Sequence, residues 1–213
     1  MVGLRVPNRA ASRRAWVLGG ALLLATVVIG VAVQPGTVFV TVSSILETVL
    51  FSASLLVFAF GIRGHGSLTA RRPLGTAALT VLAIWALLMP LLQNFYFSRD
   101  YPPVPLLGFG YLDSFVRFAA ALVAVIQIAR AGVVPRPWNW APTWALAAIA
   151  AQWLTEVVAI GSVQDGQLAA VGILGSLGAL VRVGSAVFLG ILAIVLANRP
   201  SGSQTVAVYP TSD

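Results

Sequence analysis

The chain has 213 residues, of which 59% are hydrophobic and 9% are charged. Soluble domains carry about 25% charged residues, so this composition favours a protein whose solvent is the lipid bilayer. There is no cysteine, and all thirteen basic residues are arginine, which excludes disulfides, cysteine metal sites and lysine Schiff bases. Most of the net charge of +7 flanks apolar segments, so no nucleic-acid partner is predicted.

Six apolar segments follow one another along the chain, each long enough to cross about 30 Å of hydrocarbon as a helix. In lipid they must be helices, because every backbone polar group needs a partner within its own segment. We therefore predict an all-α integral membrane protein with a six-helix transmembrane bundle. The predicted spans are 15–33, 37–62, 74–97, 106–129, 140–161 and 168–197, which together form a transmembrane domain over 15–197.

The remaining segments carry turn chemistry or charge. Residues 1–14 are predicted to be a basic cytoplasmic segment, and residues 198–213 a flexible cytoplasmic tail. The first span follows a basic start, as in a secretory signal peptide, but it is longer than the ~7–15-residue apolar core of such a peptide. We therefore expect this segment to remain as a membrane span.

The distribution of arginine predicts the orientation of the bundle. Cytoplasmic loops of membrane proteins carry an excess of basic residues. On one side of the predicted bundle Arg99 stands alone, and the other side carries ten arginines, so both termini are predicted to be cytoplasmic. The ten are Arg5, Arg9, Arg13, Arg14, Arg63, Arg71, Arg72, Arg130, Arg136 and Arg199. Arginine without lysine is typical of GC-rich bacteria, which favours a bacterial plasma membrane and its lipid as the surroundings.

Five ionisable residues lie inside the predicted spans, namely Glu47, Asp113, Arg117, Glu156 and Arg182. A charged side chain at the bilayer centre costs about 2.5–3.5 kcal/mol on insertion scales. Proteins retain such groups where they pair, line a polar cavity or take part in chemistry. These residues are therefore the first candidates for a functional site.

Depth along each span groups these charges. At about 1.5 Å per residue, all five fall between the outer interface and just past the midplane. Gln93 and Asn94 lie near the outer end of the third span, and Gln152 precedes Glu156 by one turn on the fifth. We therefore predict an outward-facing polar pocket formed by Glu47, Gln93, Asn94, Asp113, Arg117, Gln152, Glu156 and Arg182.

Helical spacing predicts how these side chains meet. Asp113 and Arg117 are four residues apart, so they share a helix face and can pair. Gln152 and Glu156 lie on a stripe of small residues on the fifth span, and Arg182 lies on a similar stripe with Gly172, Gly175, Ala179 and Ala186 on the sixth. Stripes of small residues pack against neighbouring helices. We therefore expect the charges to face one another in a single cluster.

This cluster contains three carboxylates and two guanidinium groups. Arginine stays protonated, so one carboxylate lacks a full partner. Either Glu47 or Glu156 is then the candidate for binding a proton, a cation or a cationic ligand.

Two irregularities leave alternatives open. Pro90 lies inside the third span and is expected to kink it near Ala86, because proline lacks a backbone donor. The sixth span is about 45 Å long as a helix, so it tilts, protrudes from the membrane or breaks at its glycines.

Three functions remain open from the sequence. The leading hypothesis is a small membrane protein that binds or translocates a small solute or ion, alone or as a subunit of a larger complex. The second is an accessory protein whose ion pairs only fix helix packing. The third is an intramembrane enzyme with Glu47 and Glu156 as an acid–base pair. No haem, zinc or P-loop motif is present, so no cofactor or metal is predicted.

Overall fold

The computed structural model describes residues 9–32, 39–62, 66–70, 72–97, 104–162 and 168–199. These residues form six long helices, and a 3-10 turn at Trp138–Trp140 precedes the fifth. In chain order the helices are α1 (Arg9–Ala32), α2 (Phe39–Phe60), α3 (Pro73–Phe97), α4 (Val104–Ala131), α5 (Ala141–Ser162) and α6 (Leu168–Asn198). The predicted all-helical architecture is confirmed, and the tail beyond Arg199 lies outside the described residues.

Five of the six helices are long and apolar enough to cross a membrane. Within the described residues α5 is not among these five. The helical membrane character of the chain is therefore confirmed, whereas the sixth span and the cytoplasmic position of the termini stay predictions.

The first helix starts earlier than predicted. α1 begins at Arg9, so Arg13 and Arg14 of the predicted basic segment are part of the helix. The guanidinium of Arg13 donates to the side-chain oxygen of Asn198 on α6, with its Nε 2.9 Å from that oxygen. This contact fixes the start of α1 against the end of α6.

Both long helices with irregular sequences are continuous. α3 runs through Pro90 to Phe97, and α6 runs unbroken from Leu168 to Asn198. The alternative of a sixth helix broken at its glycines is therefore wrong. The physical reason is that Gly178 lies in a packed helix contact with α5, so it serves close approach and leaves the helical hydrogen bonds in place.

The helices are arranged in a ring that follows their order in sequence and closes where α6 packs against α1. Each of α1, α2, α3 and α6 packs along two neighbours, in the spatial order α5, α6, α1, α2, α3, α4. The contact between α4 and α5 is much smaller, and the 3-10 turn touches both of these helices. The loosest joint of the ring therefore lies between two helices that are consecutive in sequence.

Glycines bring α1 close to both of its neighbours. A Cβ atom at Gly20 would lie 2.7 Å from the carbonyl oxygen of Gly190, so the α1 and α6 backbones are nearly in contact. The adjacent Gly19 faces the ring of Phe58 on α2. Because successive helical residues point about 100° apart, these two glycines direct α2 and α6 to different sides of α1.

A buried apolar layer closes the ring from inside. We call it the core cluster; its members come from α2, α3, α4 and α6 and are Phe58, Ala59, Ala78, Leu79, Ala124 and Ala193. A second cluster around Trp16 and Ile128 lies nearer the end of the bundle where Arg13, Arg130 and Arg199 are found. We call this the basic end. The two clusters fill the half of the ring that adjoins it.

The connector between α2 and α3 seals the basic end. Ser67 donates to the carbonyl oxygen of Ala59 at 2.6 Å, and the Leu68 amide donates to the carbonyl of Phe58 at 2.9 Å. The indole of Trp16 donates to the carbonyl oxygen of Gly66 at 2.8 Å. These bonds satisfy polar groups that would otherwise be buried without partners.

Candidate functional site

Three of the predicted site residues stand on the same helix faces as members of the core cluster. Glu47 precedes Phe58 on α2 by eleven residues, and Arg182 precedes Ala193 on α6 by the same interval. Arg117 precedes Ala124 on α4 by seven residues. Intervals of seven and eleven residues return to within about 20° of the same direction on an α-helix. The three side chains therefore start from the inward faces of their helices.

Exposure changes sharply along these inward faces. Phe58, Ala124 and Ala193 are at most 8% exposed. Two to three turns farther from the basic end, Glu47 and Arg182 are exposed, and the Arg117 side chain is 45% exposed. The interior of the ring is therefore apolar and closed at the core cluster, and it carries charged, exposed side chains beyond it.

The inward face of α1 follows the same pattern. Trp16 and Leu23 are buried, and Gly30 continues this row at intervals of seven residues. A Cβ atom at Gly30 would lie 3.3 Å from both carboxylate oxygens of Glu47. The missing side chain at Gly30 thus leaves the space against α1 that the Glu47 carboxylate occupies.

Glu47 and Arg182 lie at nearly the same depth. Each stands eleven residues, or about 16 Å, from its partner in the core cluster. Phe58 and Ala193 belong to that same cluster, so the two opposite charges reach one level of the bundle. They are on α2 and α6, the two helices that flank α1, and they form no ion pair with any described residue.

Asp113 and Arg117 form the predicted pair on α4. The Nε atom of Arg117 lies 2.6 Å from Oδ1 of Asp113. The same carboxylate oxygen accepts a hydrogen bond from the indole N–H of Trp85 on α3 at 2.9 Å. Asp113 is therefore held from two sides. It joins α3 to α4 at the level of the exposed charges Glu47, Arg117 and Arg182, which together with it we call the polar layer.

Glu156 occupies a separate contact between α5 and α6. Its carboxylate oxygen Oε1 lies directly against Gly178 on α6. The amide of Gln152 donates to the carbonyl oxygen of Leu174 at 3.0 Å and approaches Oε1 of Glu156 at 3.4 Å. Gln152 thereby connects the backbone of α6 to the carboxylate of α5.

Arg182 lies near this contact but does not enter it. On the α6 helical wheel it is about 40° from Gly178, which faces α5, and about 80° from Gly190, which faces α1. Gly178 and Arg182 are one turn apart, and the Arg182 side chain is exposed. Arg182 therefore projects between α5 and α1, into the concave side of the ring.

Open space follows on the same face of α6. Gly175 precedes Arg182 by seven residues, and a Cβ atom placed there would meet no neighbour within 4 Å. The same is true of Gly172. Our expectation that this stripe packs against a neighbouring helix is wrong for these two glycines, because α5 contacts α6 through Gly178, about 60° around the helix from Gly175.

The expectation of one cluster of facing charges also needs correction. The part of the chain that the structure describes contains one ion pair, Asp113–Arg117. Glu156 lies against α6, and Glu47 lies against α1. The physical reason is the helix order: α1 separates α2 from α6, so Glu47 and Arg182 are not on adjacent helices.

Gln93 and Asn94, the two amides predicted for the site, lie near the end of α3. Gln93 is exposed and lies on the row that contains the buried residues Leu79 and Ala86, so it too starts from an inward face. The side chain of Asn94 lies outside the described residues. Gln93 is therefore the α3 residue that extends the polar layer.

Two residues of the site were not identified from the sequence. A tryptophan in the middle of an apolar helix has an indole N–H that needs an acceptor, and this requirement could have identified Trp85 from the sequence. No feature of the sequence could have identified Gly30, because a glycine near a helix end looks the same whether or not a carboxylate lies against it.

The chemistry of this layer is that of carboxylates, guanidinium groups and amides. Among the described residues no three histidine, aspartate or glutamate side chains come together as metal ligands would. No protein-family model, curated protein or solved structure matches the chain.

Proposed function

We propose that the chain is a multi-pass membrane protein with six spans and both termini in the cytoplasm. The half of its helix ring away from the basic end would hold a water-accessible polar site for a small charged solute or ion. Glu47, Arg117 and Arg182 would line this site, and Asp113 would orient Arg117. Binding at such a site serves either transport or recognition, alone or beside a partner subunit.

One observation carries this proposal. Exposed charges occupy the same inward helix faces that, two to three turns away, are packed into the buried core cluster. Charged residues whose only role is to fix packing are expected to be buried and paired. Glu47 and Arg182 are neither, and a charge exposed within the membrane is stabilised by water or by a ligand.

The open face of α6 supports an access route. Gly175 continues the Arg182 face away from the core cluster without a neighbour within 4 Å, and Gly172, about 80° around the helix from Arg182, is equally open. The small contact between α4 and α5 leaves the ring least closed on the side nearest α5. A solute would therefore approach Arg182 along these glycines.

Cysteine labelling tests whether this interior is wet. The chain has no cysteine, so single cysteines can be introduced without removing any native thiol. Gly175→Cys and Arg182→Cys place thiols on the inward face of α6. Ile173→Cys and Leu180→Cys place matched thiols on its outward face, which is also exposed. Each protein in a lipid nanodisc is treated with a charged methanethiosulfonate reagent, which reacts with the hydrated thiolate.

We expect the two inward thiols to react at least about tenfold faster than the two outward ones, because lipid suppresses thiolate formation. Ala193→Cys, three turns deeper than Arg182 on the same face, should stay unreactive. Equal protection of all inward thiols would show a dry interior and overturn the proposed site.

A packing role is the second candidate, and the Trp85–Asp113–Arg117 arrangement favours it for one part of the layer. There the carboxylate is only 19% exposed and is bound by two helices, as a structural ion pair would be. If the whole layer served packing, Arg182→Gln would destabilise the bundle, and adding Glu47→Gln or Glu156→Gln would restore it. We expect Arg182→Gln instead to fold normally in a thermal-unfolding assay.

The enzyme hypothesis receives no support from the geometry. An acid–base pair requires both carboxylates within reach of one substrate. Glu47 lies against α1 and Glu156 against α6, and the helices that carry them, α2 and α5, make no contact in the described ranges.

A further inference from the structure

We propose that the ligand of this site is a small zwitterion, whose anionic group binds Arg182 and whose cationic group binds Glu47. This inference rests on the proposed function, since it assumes that the polar layer is open to solutes. It adds the chemical class of the solute and assigns one charged residue to each of its ends.

Two opposite charges of the polar layer remain without an ion-pair partner in the part of the chain that the structure describes. Arg117 and Asp113 neutralise each other, because the guanidinium and the carboxylate are 2.6 Å apart. Glu156 is partly buried against Gly178 and is approached by the Gln152 amide. Glu47 and Arg182 are left as exposed, opposite charges without an ion-pair partner among the described residues.

The packing of α2 and α6 on α1 sets the distance between these two charges. Both α2 and α6 pack against α1, through the adjacent residues Gly19 and Gly20. With helix axes about 9 Å apart and these two directions about 100° apart, the α2 and α6 axes are about 14 Å from each other. The Glu47 carboxylate lies against α1 at Gly30, and Arg182 projects between α1 and α5. A ligand that bridges the two residues would therefore be a small molecule whose two charged groups are several bonds apart.

A ligand with a single charge would pair with only one of the two residues. A lone anion would bind Arg182 but leave the exposed carboxylate of Glu47 without a counter-charge, and Glu156 lies only one turn from Arg182. A lone cation would bind Glu47 but leave Arg182 exposed within the membrane. A zwitterion satisfies both residues at once and adds no net charge to a low-dielectric site, where unpaired charge is most unfavourable.

The chemical form of the ligand follows from the two residues. Arginine presents a planar fork of donors that matches a carboxylate in a bidentate arrangement. A glutamate carboxylate accepts hydrogen bonds from an ammonium group. The ligand class is therefore an amino acid or a similar small aminocarboxylate.

Binding of three matched probes tests this assignment. The protein in lipid nanodiscs is titrated with 4-aminobutyrate, butyrate and butylamine by calorimetry, with glycine and 6-aminohexanoate as shorter and longer zwitterions. We expect the best zwitterion to bind at least about tenfold more tightly than either singly charged probe, since a hydrogen bond to a charged group supports a change of that size.

Substitutions then assign the ends of the ligand. Arg182→Gln should weaken zwitterion binding at least about tenfold and leave butylamine binding unchanged. Glu47→Gln should weaken zwitterion binding similarly and leave butyrate binding no weaker than before. Arg130→Gln, which removes an exposed arginine at the basic end, serves as the control and should change neither.

Each contrary result has a distinct meaning. Binding of butyrate or butylamine as tightly as every zwitterion, with the inward thiols labelled, would overturn the zwitterion assignment and leave the polar site standing. Loss of the amine preference in Glu156→Gln, and not in Glu47→Gln, would overturn the role given to Glu47. Absence of binding by all five probes overturns the assignment as well, and protected inward thiols would then show that the site itself is absent.

Discussion

The carboxylate of Glu156 on α5 lies against Gly178 on α6 so closely that a Cβ atom at position 178 would overlap its Oε1. The amide of Gln152 lies 3.3 Å from the same Cβ position. A polar contact between two membrane helices therefore depends on a residue that has no side chain. The fit also keeps Glu156 one turn from Arg182, on the side of α6 that faces α5.

The first prediction concerns this fit. Gly178→Ala should destabilise the bundle by about 1 kcal/mol, because the added methyl group must displace the Glu156 carboxylate, which is the far end of a flexible side chain. Gly175→Ala, on the open face of the same helix, is the matched control and should be neutral or slightly stabilising. Reversible unfolding in detergent micelles measures both. Equal effects of the two substitutions would contradict the close contact.

A second prediction isolates the indole hydrogen bond. Trp85→Phe keeps an aromatic ring but removes the donor to Asp113, and it should lower the free energy of unfolding by about 1.5–3 kcal/mol, as for hydrogen bonds to charged groups. Trp144→Phe alters an indole on α5 that is 74% exposed. That control should change stability by less than about 0.5 kcal/mol. If Trp85→Phe changes the free energy of unfolding as little as Trp144→Phe does, Trp85 does not hold Asp113 in the membrane.

Much of the fold could be predicted because its signals are local. Apolar length alone located all six helices, and the four-residue spacing of Asp113 and Arg117 predicted their ion pair. The start of α1 was missed because Arg9–Arg14 reads as a flanking basic segment. In the structure the helix is extended by a contact with Asn198, which is distant in sequence.

The rest depended on which helices are neighbours. No spacing within one helix shows that α1 lies between α2 and α6, or that α5 touches α4 only slightly. Gly172, Gly175 and Gly178 look alike in sequence, yet a three-residue step turns the helix by about 300°, so their directions drift around it. Only the neighbour positions show that Gly178 packs and that the other two do not.

The third prediction addresses the contact between α1 and α6. Gly20→Ala would place a methyl group 2.7 Å from the backbone carbonyl oxygen of Gly190, and a backbone can move less than a flexible side chain. We expect a loss of about 1–3 kcal/mol in unfolding free energy. Gly184→Ala on α6 meets no atom within 4 Å and should leave stability nearly unchanged. A tolerated Gly20→Ala would mean that the two helices are farther apart.

The fourth prediction concerns the orientation in the membrane. The arginine distribution predicts that the connector after α3 lies outside and that the connector after α4 lies in the cytoplasm. Ser98→Cys should therefore react with a membrane-impermeant thiol reagent added to intact cells. Val133→Cys, at a residue that is 38% exposed, should react only after the membrane is opened. The reverse pattern would invert the predicted topology.

The order of helices around the ring makes the chain suited to circular permutation. The extensive contacts run α5, α6, α1, α2, α3, α4, and the bond from Arg13 to Asn198 brings the start of α1 beside the end of α6. A circularly permuted chain that starts at α5, joins α6 to α1 by a short linker and ends at α4 would keep every one of these contacts. In that chain each helix would pack against the helix that was synthesised just before it. No extensive contact would then depend on the last helix reaching the first, as the contact between α1 and α6 does in the native order.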